Sequence, residues 1–302
     1  MRTRLAALTA VTALSALAAG CGSEPSSAPT RSASAPASSP ASSPASSPAS
    51  SPTSLRLDDA SVPLAERLTQ ALATVSSGTP GAEDVREAAL FEQTTARNLA
   101  RGSKAQTEKV LGALGRPERA QLEADIAAAR ELMVMTDPQP KLPDWRILTP
   151  PAPDELIPLY RAAQRETGTP WEYLAAIHLV ETRMGRIRGT STAGAQGPMQ
   201  FLPSTFAQYG AGGDINDPGD AIMAAGRMLA NNGAPDDMAG ALWSYNHSDR
   251  YVAAVSDYAE QMRRSPAAYD LYWHWQVLYR HQDGTMLLPE GYPGEEAVRI
   301  AD

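Results

Sequence analysis

From Leu55 onward the chain repeats one pattern. Apolar residues recur every three or four positions in Ala/Leu/Glu/Arg-rich stretches over 61–76, 83–101, 104–114 and 117–134, separated by breakers such as "SSGTPG" and "GRP". That spacing places apolar side chains on one face of a helix, whereas a half-buried strand needs alternation of period two, and no segment displays it. The fold class expected is mainly α. The helical N-terminal region, 55–140, carries no recognisable chemistry and reads as a packing or spacer module. "TDPQPKLPDWRILTPPAP" marks a Pro-rich boundary into a second unit at 141–264. In the aromatic-rich remainder, 265–302, rings at helical spacing are expected to seal a core, and the Pro/Gly end to wrap the surface.

Ahead of these helices the composition changes. Arg2 and Arg4 precede "LAALTAVTALSALAAG", an apolar run of small residues too short to span a bilayer, which reads as an export signal. The sequence "LAAGC" resembles a bacterial lipobox, although Ala18 stands where Leu is commoner, and the resemblance implies cleavage before Cys21 and acylation of that residue. Residues 1–21 are thus expected to be a lipoprotein signal with its lipidated Cys. Because Cys21 is the single cysteine, no intrachain disulfide is possible. Residues 22–54 contain "PASSPASSPASSPASSP" and almost nothing to bury, so they read as a disordered linker. At about 3.1 Å per residue in extended form it would reach on the order of 100 Å. The implied location is the outer face of the cytoplasmic membrane, with reach into the wall.

The most informative segment is "GTPWEYLAAIHLVETRMGRIRGTSTAGAQGPMQFLPSTF". Thr169, Pro170 and Glu172 form a capping-box signature for a helix start. Leu174, Ile177, His178 and Glu181 then fall at i, i+3, i+4 and i+7, so Glu181 points the way the core residues point. Burying an unpaired carboxylate costs several kcal/mol, and its pKa rises until it holds a proton near neutral pH. A protonated carboxyl of that kind is what a glycosidase uses to protonate a leaving oxygen. The alternative is an end-of-helix Glu paired with Arg183, Arg186 or Arg188.

"STAGAQGPMQFLPSTF" and the later "WSYNHSDRYVAAV" resemble the lysozyme-like catalytic domain of bacterial lytic transglycosylases, nearest to the membrane-bound type B group and its actinobacterial relatives. The resemblance spans roughly residues 150 to 264. It implies a lysozyme-like helical domain in which Glu181 is the catalytic acid, Ser191 the loop serine, Met199 and Gln200 a pair lining the glycan groove, and Tyr245 and Asn246 the Tyr-Asn pair. It also implies an enzyme that cleaves the MurNAc–GlcNAc bond of peptidoglycan without water, closing a 1,6-anhydro ring. Hydrolysing glycosidases usually need a second carboxylate, and none lies inside the matching motifs. A hydrolytic muramidase and a catalytically inactive peptidoglycan-binding lipoprotein remain the alternatives.

Other chemistries fit poorly. "DINDPG" puts Pro218 where a calcium loop needs its fifth-position ligand, and Asp217 with Asp220 reads instead as a helix start. Asp214, Asp236 and Asp237 read likewise as caps and solvated loop. No metal and no cofactor are expected. "GTSTAG" lacks the second glycine of a nucleophile elbow, and the four His have no zinc-ligand spacing. A net charge of -8 without basic tracts argues against nucleic acid.

Overall fold

The computed structural model describes residues 57–78 and 82–300; the expected export signal, the expected lipidation at Cys21 and the expected 22–54 linker fall outside the described residues. Helices α1 (Leu64–Ser77), α2 (Glu83–Arg101), α3 (Lys104–Gly112) and α4 (Arg116–Met135) come first. Then follow β1 (Arg146–Ile147), α5 (Pro153–Thr167), α6 (Trp171–Thr182), β2 (Ile187–Arg188), α7 (Pro203–Tyr209), α8 (Pro218–Asn231) and α9 (Met238–Tyr245). The chain ends with α10 (Asp249–Arg264), α11 (Pro266–His274) and strands β3 (Val277–His281), β4 (Gly284–Leu288) and β5 (Val298–Arg299). The fold is mainly α-helical, as the spacing predicts. Among the described residues no helix is long and apolar enough to cross a membrane.

Two helices organise the packing. Leu174 to Leu179 of α6 have no accessible surface, which is the signature of a helix apolar all round and enclosed on every side. On α10, Tyr251, Ala254, Val255, Tyr258, Ala259 and Met262 are buried, a stripe wide enough to meet two neighbours. It packs against both α4 and α6. One continuous core therefore runs from Val75, Val85 and Ala128 of the first helices through Leu156 and Ile177 to Trp275.

Local signals behave unevenly. Asp217 caps α8 as expected, accepting from the Asp220 amide at 2.9 Å. Asp237 does the same for α9 through Gly240, and Asp220 accepts from the Asp214 amide at 2.8 Å. The capping box on α6 does not form. Helix α6 begins after Pro170, the Thr169 hydroxyl donates to the Gly226 carbonyl at 3.2 Å, and the amide of Trp171 donates to Oε1 of Gln164 on α5. A neighbouring helix satisfies the end that the local sequence was expected to satisfy.

The region after α11 departs most from expectation. Aromatics Tyr269, Tyr272, Trp273 and Trp275 do seal the core, but residues 277–288 form an antiparallel hairpin, with His281 opposite Gly284 across Gln282–Asp283. Strand β5 pairs on the far side of β4. Alternation is invisible in β3 because Val277, Leu278 and Tyr279 are all buried, one face against Ile147 and the other toward the helices.

Candidate active site

Glu181 is the penultimate residue of α6, and its 8% exposure leaves it inside the core edge. Oε1 accepts the phenol of Tyr251 at 2.7 Å. Burial drives its pKa up to about 7, and the Tyr251 hydrogen bond, which favours the ionised form, pulls the other way. The pairing with arginine does not occur. Arg183 donates to the Leu179 carbonyl at 2.6 Å, and Arg186 bonds Glu290 and the Trp273 carbonyl. Glu181 is thus a carboxyl that exchanges its proton near neutrality, held by one neutral donor.

The chain leaves α6 abruptly. Arg183, Met184 and Gly185 take φ of 54°, 60° and 87° in succession, three left-handed residues that end the helix one residue after the acid. Thr182 fixes the exit by donating to the Pro198 carbonyl at 2.6 Å and accepting from the Gly185 amide at 3.1 Å. His178, one turn before Glu181, is buried with its pKa lowered to about 3 by desolvation, and it pairs through Nδ1 with the Tyr160 hydroxyl at 2.7 Å. It is a neutral core residue.

Two turns build the loop that follows. Ser191 closes the first, accepting from the Ala195 amide through its hydroxyl at 3.0 Å while its own amide bonds the Ala195 carbonyl. Gln196 and Phe201 pair across the second, around Gly197–Gln200. Gln200 has φ 48°, and its side-chain Nε2 donates to the Gly197 carbonyl at 2.9 Å. Gly197 is required here, because with φ of 74° a Cβ would overlap the Ile215 carbonyl oxygen.

Ser191 and Gln200 therefore brace their own loop. Met199 is fully buried, so its side chain packs in the core and lines no groove; its carbonyl accepts the Tyr245 phenol at 2.6 Å. Tyr245 closes α9 and stacks on Tyr251, planes 7° apart and centroids 6.4 Å apart. The acid, Tyr251, Tyr245 and Met199 form one connected layer. Asn246 caps the C-terminus of α9, and its Oδ1 is buried without a partner. Trp243, 45% exposed, packs edge-on against His247 beside this layer.

Tyr251 is the residue that the sequence reading leaves unassigned, although it lies within the quoted Tyr-Asn segment. Its signal is local. Ser248 caps α10 and accepts from the Tyr251 amide at 3.4 Å, so the tyrosine three residues on belongs to the first turn of a helix that must pack on α6. Burial and the Tyr251 hydrogen bond are the two influences that shift Glu181, and burial is the larger.

Residues 158–266 match the family model of the transglycosylase SLT domain, a lysozyme-like helical domain, over less than half of the chain. The match supports a lytic transglycosylase acting on peptidoglycan. No curated protein and no solved structure was found to match.

Proposed function

We propose that the chain cleaves peptidoglycan glycan strands non-hydrolytically at the β-1,4 bond from MurNAc to GlcNAc, leaving 1,6-anhydroMurNAc ends, in the course of cell-wall remodelling. The observation that carries this reading is Glu181, a buried carboxyl with a pKa of about 7 that accepts a hydrogen bond from the Tyr251 phenol. Such a group donates a proton to the glycosidic oxygen and, as carboxylate, then takes the proton of the MurNAc C6 hydroxyl while that oxygen closes on C1. The substrate's own N-acetyl group stabilises the positive charge developing between the two steps. Tyr251 offsets part of the effect of burial, which keeps the carboxyl acidic enough to give up its proton to the leaving oxygen.

Gln200 and Ser191 order the loop beside the acid, and Asn246 offers an acceptor to sugar N–H or O–H groups. Acylation of Cys21 and the 22–54 linker would place this activity at the outer face of the cytoplasmic membrane, within reach of the wall. The test is mass spectrometry of muropeptides released from purified peptidoglycan by the protein and by Glu181→Gln. Anhydro ends that vanish in the variant are expected. Reducing ends would make the protein a muramidase, and strand binding without products in either protein would make it a binding module.

A further inference from the structure

A cavity of about 110 Å3 lies between α2, α4 and β3 and reaches the ends of α6 and α9. Arg97, Arg183 and Arg280 line it, together with Asn246 and Tyr251. None of the three arginines forms an ion pair among the described residues. Nε and one Nη of Arg97 are buried with no hydrogen-bond partner. The charges that act on Arg97 are mostly cations, Arg183, Arg101 and Arg280, and none is a carboxylate. Arg183 spends one donor on the Leu179 carbonyl, and Arg280 bonds the carbonyls of Met133 and Thr136.

Two acids line the cavity with the arginines. Asp137 is exposed and acts on Arg280, and Asp125 accepts from Tyr272 at 2.6 Å and from Gln121 at 2.8 Å and shares its environment with Glu92. A guanidinium stripped of water and facing other guanidiniums is unfavourable unless an anion completes the set. Its planar fork matches a carboxylate, two N–H groups to two oxygens. The orphaned Oδ1 of Asn246 adds a demand for a donor, so the ligand carries an N–H or O–H near its acid group.

Glu181 does not itself line this cavity, but its partner does. Tyr251 lines it and donates to Glu181, and Val180 and Arg183, the residues on either side of the Glu181–Thr182 pair, line it too. We propose that it is a carboxylate subsite, in which Arg97 and Arg183 bind an acid group carried by the muramic residues of the strand, with Asn246 taking a neighbouring N–H or O–H. This inference rests on the reading of the chain as peptidoglycan-cleaving. It gives the N-terminal helical region, through Arg97 on α2, a part in recognising substrate. Two sources supply that chemistry: the lactyl acid of strands stripped of peptide, and the carboxylates of the stem peptide.

The experiment uses the full chain and needs no turnover. Binding of N-acetylmuramic acid and of its neutral methyl ester is measured by calorimetry, with a muramyl dipeptide, whose lactyl group is an amide, as the second probe. The acid, the dipeptide or both should bind about ten- to a hundredfold more tightly than the ester, and whichever does so identifies the source. Arg97→Gln should erase that preference, and Arg97→Lys should restore part of it. The Gln variant should melt no lower than the wild type, because it removes an uncompensated buried cation. Equal affinity of the wild type for acid, dipeptide and ester would overturn the proposal, as would a Gln variant that keeps the preference. Charge-selective binding without strand cleavage would leave the subsite standing and remove the cleavage reading instead.

Discussion

Replacing Tyr251 with Phe should move the working pH of the enzyme upward. The phenol donates to Glu181 Oε1 at 2.7 Å and favours the carboxylate against burial. A hydrogen bond to a charged group contributes about 1.5–3 kcal/mol, and 1.36 kcal/mol corresponds to one pH unit. Its loss should therefore raise the Glu181 pKa from about 7 by about one to two units. A phenylalanine ring keeps the stack on Tyr245, so the fold should be disturbed little. The assay is kcat/KM for release of anhydro products between pH 5 and pH 10, paired with NMR titration of a 13C-labelled carboxyl at position 181. The pKa seen by both should rise together, carrying the alkaline limb of the profile upward, and activity at pH 6 should fall because a less acidic carboxyl is a weaker proton donor to the leaving oxygen. An unmoved or lowered carboxyl titration would refute the claim that Tyr251 sets the acidity of Glu181.

Other perturbations separate structural from chemical roles. Glu181 has a folded pKa of about 7 against an ordinary value of 4.5, so its contribution is fully present below the lower value and is lost as pH rises through the upper one. Glu181→Gln should thus gain about 3 kcal/mol over the wild type at pH 8 relative to pH 4, read from thermal melts at both pH values. Asp125, raised by burial to about 6 from 3.8, should cost stability over the window between those values, and Asp125→Asn should flatten that part of the stability–pH curve in denaturant titrations. Tyr245→Phe leaves the Met199 carbonyl without its donor and should cost about 1–3 kcal/mol in denaturant unfolding, with no shift of the pH–rate profile. Gly197→Ala should lose more than about 2 kcal/mol in the same measurement, because both its backbone conformation and the Ile215 carbonyl exclude a Cβ.

What could be read in the sequence follows from the range of the forces involved. Helices α1 to α4 and the burial of Glu181 were legible because apolar spacing records which face each helix buries. The Asp217 cap was legible because cap and amide are three residues apart. The start of α6 was misread because its amide found Gln164 on another helix, and no rule about nearby residues contains that partner. The hairpin after α11 was hidden because β3 is buried on both faces, so the period-two signature never arises. Met199 was expected to line a groove because a resemblance implied it, whereas its side chain is buried and its carbonyl accepts the Tyr245 phenol.

The acid itself illustrates why motifs underdetermine a site. Glu181 owes its acidity to enclosure by α10, whose first turn brings Tyr251 to the carboxyl. That turn is placed by α4, which grips α10 along its length: Met135 meets the Ser248 hydroxyl, Glu131 pairs with Arg250 at 2.7 Å, and the Ala120 carbonyl accepts from Gln261 at 2.7 Å. None of those α4 residues belongs to a motif, and each exposed pair contributes little alone. Together they fix the register of α10, and a slip of one residue would rotate Tyr251 by about 100° away from the acid. The helices that carry no recognisable chemistry therefore hold the tyrosine that sets the acid, just as Arg97 on α2 faces the cavity beside it.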